Sequence, residues 1–114
     1  MTQPTQATQA THTAQAQQRL IDLFLDMMAA ERGASDNTRA AYGRDLVSLA
    51  GFLTARGAEL ATAQEADLQA YMALLHKSGM SAATAARPLS CLKQFYKFPL
   101  LEQFRAEYRT HALA

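Results

Sequence analysis

Three glycines, Gly33, Gly57 and Gly79, cut this chain into apolar stretches of helical period, and each is followed by a helix-start signal. Glycine just past a helical stretch is the usual C-terminal stop, because it accepts the left-handed backbone that ends a helix. Ser35 stands where an N-cap is needed, and so does Ser81. Thr62-Ala-Gln-Glu65 has the form of a capping box, in which a side chain at each end satisfies a free backbone donor. A chain punctuated this way is predicted to fold as separate helices that bury one face each.

The apolar positions agree with the punctuation. The first helix is predicted from Ala16 or Gln17 to about Arg32, with Leu20, Ile21, Phe24, Leu25 and Met28 at helical spacing. The second runs from the Ser35 cap to about Arg56. Tyr42, Leu46, Leu49, Phe52 and Leu53 share its apolar face, and Arg39, Ala40, Gly43, Arg44, Val47 and Ser48 lie opposite. The third ends near Lys77 and carries Leu68, Tyr71, Met72 and Leu75. The fourth runs from the Ser81 cap to the neighbourhood of Pro99. Pro88 lies inside it, where the ring removes one donor and crowds the Thr84 carbonyl. The period continues across Pro88, so one bent helix is predicted. Leu100 to Tyr108 allow a short fifth helix. No Val- or Ile-rich alternating run occurs, so the expected class is all-α: four helices in a bundle, with room for the fifth. Residues 1–16 are Thr, Gln and Ala with one Pro and one His, and are expected to be a disordered tail. The helical domain is placed at residues 17–98, and residues 99–114 form a C-terminal segment or linker.

The fourth stretch also carries the chain's clearest charge pattern. Residues 81–98 hold three cations, Arg87, Lys93 and Lys97, and no acid, although the whole chain has a net charge of only +1. On a wheel of about 100° per residue, Arg87, Ser90, Lys93, Gln94 and Lys97 fall on one arc of roughly 120°. Ala85, Leu89, Leu92, Phe95 and Tyr96 fall opposite. One side can enter a core while the other meets a polyanion, as a helix seated in a DNA major groove requires.

Chemistry of other kinds has little to work with. His12, His76 and His111 show no metal-ligand spacing, no glycine-rich phosphate loop exists, and Asp22, Asp26 and Glu31 read as a solvated face. No metal, cofactor or catalytic residue is therefore assigned. Cys91, the single cysteine, excludes an internal disulfide and reads as a buried thiol; a nucleophile pair with His76 lacks an orienting third group. No signal peptide and no bilayer-length apolar run is visible, which points to a cytoplasmic protein without membrane attachment.

Several motifs together carry a resemblance. In the second helix they are Asn37-Thr38, Tyr42, Arg44-Asp45-Leu46 and Phe52-Leu53. In the third they are Asp67-Leu68, and in the fourth Ser81, Thr84, Arg87, Leu89-Ser90, Lys93 and Phe95-Tyr96. Over residues 17–98 the sequence resembles the N-terminal core-binding domain of tyrosine recombinases, nearest to Xer-type recombinases and phage integrases. The resemblance implies a SAM-like four-helix bundle that forms half of a clamp on double-stranded DNA. Its second and fourth helices would enter the major groove, and other recombinase protomers would be further partners. It also implies a separate catalytic domain with a tyrosine nucleophile. No Arg-His-x-x-Arg-like motif is present before Ala114, so this polypeptide is expected not to cleave DNA, and Tyr42, Tyr71, Tyr96 and Tyr108 are not assigned as nucleophiles. Pro88 and the segment around Glu107-Tyr108-Arg109 depart from the family pattern.

The expected DNA-facing residues are Thr38, Arg39 and Arg44 on the second helix, and Ala83, Thr84, Arg87, Ser90, Lys93, Gln94 and Lys97 on the fourth. Arg87 is the foremost candidate for a base or phosphate contact. Lys93 and Lys97 suit phosphates. Thr84 could reach a phosphate or a thymine methyl, or merely cap locally, and Thr38 could serve the helix start. For Arg44 the competing role is an ion pair with Asp45. Small residues such as Ala40, Gly43 and Ala83 allow close backbone approach. The alternative function is a helical protein-interaction module for recombinase or other assembly, in which the basic arc is incidental.

Overall fold

The computed structural model describes the backbone of residues 6–113 and the side chains of residues 14–106. Every regular element among them is a helix: α1 (Gln6–Arg32), α2 (Asp36–Ala55), α3 (Glu65–Lys77), α4 (Ala82–Phe95) and α5 (Pro99–Leu113). The glycine stops act as their positions require. Gly33, Gly57 and Gly79 have φ of +64°, +79° and +90°, a region where a Cβ would be strained. Ser35 and Ser81 are N-caps, their hydroxyls accepting from the amides of Thr38 and Thr84.

Two helix starts differ from the sequence reading, α4 stops at Phe95, short of Lys97, and α5 runs on to Leu113. Helix α1 begins at Gln6 rather than near Ala16, so residues 6–16, assigned by composition to a tail, extend the helix. After Pro4 this stretch has neither Gly nor Pro and is rich in Ala and Gln, so nothing halts propagation towards the N-terminus. Residues 14–16 are exposed, and the first buried residue of α1 among the described side chains is Leu20. The rest of the expected tail, residues 1–5, lies outside the described residues. At α3 the N-cap is Gln64, not Thr62. The Asp67 carboxylate reaches back to accept from the Gln64 amide at 3.0 Å. Thr62 instead closes the preceding turn, its hydroxyl accepting from the Glu59 amide at 2.9 Å.

Helix α1 packs on α2, α2 on α4, and α3 against both α4 and α2. The core centres on Phe24, fully buried, with the Phe95 ring edge-on at 5.3 Å and Phe98 at 5.6 Å. Leu20, Ile21 and Met28 of α1 and Tyr42, Leu46, Leu49 and Leu53 of α2 surround it. The turn before α3 adds Leu60, Ala61 and Ala63, and α5 adds Leu101. Helix α4 continues through Pro88, which is buried, and ends at Phe95. Pro99 then starts α5, where its missing donor is harmless. Helix α3 buries only Tyr71 fully; Leu68, Met72 and Leu75 stay half-buried.

Candidate nucleic-acid interface

The α2–α4 seam is polar along its outer edge. Asp45 sits on α2 beside Arg44, but it pairs with Arg87 of α4. Its Oδ1 accepts from Arg87 Nη2 at 2.9 Å and its Oδ2 accepts from Nε at 3.1 Å. The competing role that the sequence reading allows Arg44, an ion pair with Asp45, is not the one formed. Adjacent helical residues diverge by about 100° and cannot face each other. The residues that meet are one turn apart or on neighbouring helices, and Arg87 is on the neighbour. The carboxylate raises the Arg87 pKa above its ordinary value, first through the hydrogen bonds and then through its charge. The cation-only pattern of residues 81–98 is thus balanced at one point by an acid from α2.

Further along the seam, Gln94 Nε2 donates to the Tyr42 hydroxyl and to Ser90 Oγ, both at 3.1 Å. Tyr42 Oη and Ser90 Oγ lie 3.3 Å apart. Arg32, at the end of α1, donates to Gln94 Oε1 at 3.1 Å and so ties a third helix into the network. Ser90 and Gln94, expected among the DNA-facing residues, are half-buried here and hold α2 to α4. Arg32 went unnoticed in the sequence because its partner is remote in the chain.

The remaining candidates lie as follows. Arg44, Lys93 and Lys97 are exposed and form no ion pair among the described residues. Arg44 and Arg39 line a hollow between α1 and α2, together with Leu25, Ala40, Gly43 and Val47. Arg39 is held 3.7 Å from Asp36, and its Nε is buried without a partner. Lys93 and Lys97 line an apolar groove of about 690 Å³ between α3 and α4, with Leu68, Met72, Leu89 and Tyr96. Leu89, placed on the core side by its period, is 39% exposed on this groove. Thr38 and Thr84 complete the two serine caps, their hydroxyls accepting from Ser35 and Ser81 at 3.0 and 2.9 Å. Ala83 and Ala86 are exposed. The structure therefore brings Arg87, Ser90 and Gln94 together at the seam, and sets Arg39 with Arg44 and Lys93 with Lys97 in separate hollows.

No cluster of three or more potential metal-ligating side chains occurs among the described residues. Cys91 is fully buried, its Sγ lies 3.7 Å from the Tyr42 carbonyl oxygen, and burial pushes the thiol up to about 12. Tyr42 and Tyr71 are core residues, and Tyr96 donates its hydroxyl to the Leu60 carbonyl. Tyr108, His12 and His111 lie outside the described side chains. No helix among the described residues is long and apolar enough to cross a membrane.

A small all-helical bundle with a polar, partly cationic seam between its second and fourth helices is the class that fold and surface define. The family model "Phage integrase, N-terminal SAM-like domain" matches residues 21–103, and the chain belongs to that family. It is 44% identical over 93 residues to a tyrosine recombinase XerD of Rhizobium meliloti, covering 82% of this chain and 30% of the relative. It is 46% identical over 86 residues to the XerD of Caulobacter vibrioides, covering 75% and 28%. With the XerD of Agrobacterium fabrum it shares 45% over 87 residues, covering 76% and 26%. The chain thus spans under a third of the length of these relatives, at the part matching the N-terminal domain. No solved structure gives a significant match.

Proposed function

We propose that this chain is the DNA-binding module of a site-specific tyrosine recombinase, holding one half of a recombination site through α2 and α4 without itself breaking a strand. The observation that carries this reading is the α2–α4 seam, where Asp45–Arg87 and Tyr42–Ser90–Gln94 fix two helices side by side with free cations flanking them. Arg44 lies about 100° round α2 from Asp45, and Lys93 about 120° round α4 from Arg87. Both turn outward from the seam, so a duplex laid across the two helices would meet Arg44, then Arg87, then Lys93 and Lys97. Arg39 contributes from the α1 side, and Ala83 and Ala86 leave the α4 surface low. Thr84 stands a turn before Arg87. Ser90 and Gln94 support this surface more than they touch DNA. The protein works without a cofactor, acts in the cytoplasm beside DNA, and meets other recombinase protomers there.

The test is a titration of labelled duplex at low salt. Binding in the micromolar range is expected, with no covalent protein–DNA adduct. The absence of any shift at high micromolar protein would contradict the reading. A second reading, a protein-interaction module, is favoured by the open apolar groove between α3 and α4. Self-association that ignores DNA and persists in high salt would support it.

A further inference from the structure

Resting on the DNA-binding reading above, we propose that Arg87 is a base reader rather than a phosphate contact, that its target is a guanine, and that Asp45 is the positioning residue that makes it so. Guanidinium carries five N–H donors in a rigid fork. The Nε edge is spent on Asp45: Nε donates to Oδ2 at 3.1 Å and Nη2 to Oδ1 at 2.9 Å. The two N–H groups of Nη1 and the second of Nη2 remain, forming a second two-pronged edge at the tip. Asp45 is nearly enclosed, with 11% of its side chain exposed, whereas Arg87 is 49% exposed. The free edge is therefore the one that solvent, or a ligand, reaches.

Two consequences follow from that arrangement. The guanidinium is held in one orientation before anything binds, so little side-chain freedom is left to lose. The carboxylate behind it also cancels its charge. A phosphate, which is attracted mainly by net charge, gains little from such a pair. Guanine presents two neutral acceptors, O6 and N7, at the spacing of the fork. The unpaired Lys93, Lys97 and Arg44 remain for phosphates. Around Arg87 the α4 surface is built of small side chains, with Ala83 and Ala86 exposed, so a groove floor can come near the tip.

The experiment selects duplexes bound by the 114-residue chain from a randomised pool at low salt, then repeats the selection with Asp45→Asn and Arg87→Lys. The wild-type motif is expected to contain a guanine that both variants cease to select, while the other positions persist. Replacing that guanine by 7-deazaguanine removes one of the two acceptors and should weaken wild-type binding about 2- to 12-fold and leave Asp45→Asn nearly unaffected. Asp45→Asn should also bind unrelated duplex more tightly than wild type, with a steeper salt dependence, because the released cation takes a phosphate. Circular dichroism confirms that each variant is folded; Arg87→Lys, which keeps the charge and loses the fork, stands in if Asp45→Asn does not fold. A wild-type motif without guanine, or one that both variants retain, overturns the base-reader assignment while leaving DNA binding intact. An equal loss on all sequences makes the pair merely structural and overturns it too. Failure of the wild type to bind any duplex sinks the underlying reading instead.

Discussion

At the scale of single residues, the packed thiol makes a pH-dependent prediction. Cys91 in the fold ionises only near 12, against an ordinary value of 9.0, because burial disfavours the thiolate. Below the ordinary value both folded and unfolded chains carry the neutral thiol, and its contribution is intact. Between the two values the unfolded chain ionises and the folded one does not, so stability falls as pH rises. The urea midpoint should drop between pH 9 and 11, and Cys91→Ala should make the drop shallower. Tyr96, whose pKa burial also raises, supplies part of the remainder. An unchanged slope in the variant would contradict the assignment. The burial of Phe95 and Tyr42 was readable from helical period, and that of Cys91 from the usual burial of a free cysteine. The partner of Arg87 was not, because Asp45 is 42 residues away and only the packing of α2 on α4 brings them together.

At the scale of elements, the two kinds of glycine should respond oppositely to a methyl group. Gly57 ends α2 at φ +79°, so Gly57→Ala should destabilise by about 1 kcal/mol or more. Gly43 is mid-helix, and a Cβ there would meet only Leu25 Cδ1 at 3.3 Å, the tip of a flexible side chain. Gly43→Ala should gain up to about 1 kcal/mol from helix propensity, less whatever Leu25 loses by shifting. Thermal unfolding of the two variants checks both signs; a loss at Gly43 would mean that Leu25 cannot yield. Helix starts and stops at Ser35, Ser81, Gly33, Gly57 and Gly79 were legible because capping is local chemistry. The start of α3 was misplaced because two acidic boxes overlap there, and Asp67 wins over Glu65 by also accepting from Arg56 at 3.1 Å. The turn residues Leu60, Ala61 and Ala63 entered the core without any period to announce them.

At the scale of the molecule, the family and the all-helical bundle were both legible in the order and spacing of the motifs, and the match over residues 21–103 agrees. The surface was legible only in part. Wheel positions put five residues, Arg87, Ser90, Lys93, Gln94 and Lys97, on a DNA face, whereas packing turns Ser90 and Gln94 into a strut between α2 and α4. Left exposed and without an ion pair among the described residues are Arg44 on α2, Lys93 on α4 and Lys97 just past its end, on a molecule whose net charge is +1. Affinity should therefore be modest and strongly salt-dependent. Arg44→Ala and Lys93→Ala should each flatten the salt dependence by about one phosphate without lowering the thermal midpoint, since neither side chain is paired or buried.

The most direct measurement is the duplex affinity of the intact chain between about 20 and 200 mM salt. If ~3–5 phosphates are neutralised at the α2–α4 surface, log K should fall against log salt with a slope of about −3 to −4.5, and the Arg44→Ala, Lys93→Ala double variant should lose about 2 from that slope. A slope near zero, or one that the double variant leaves unchanged, would contradict the account.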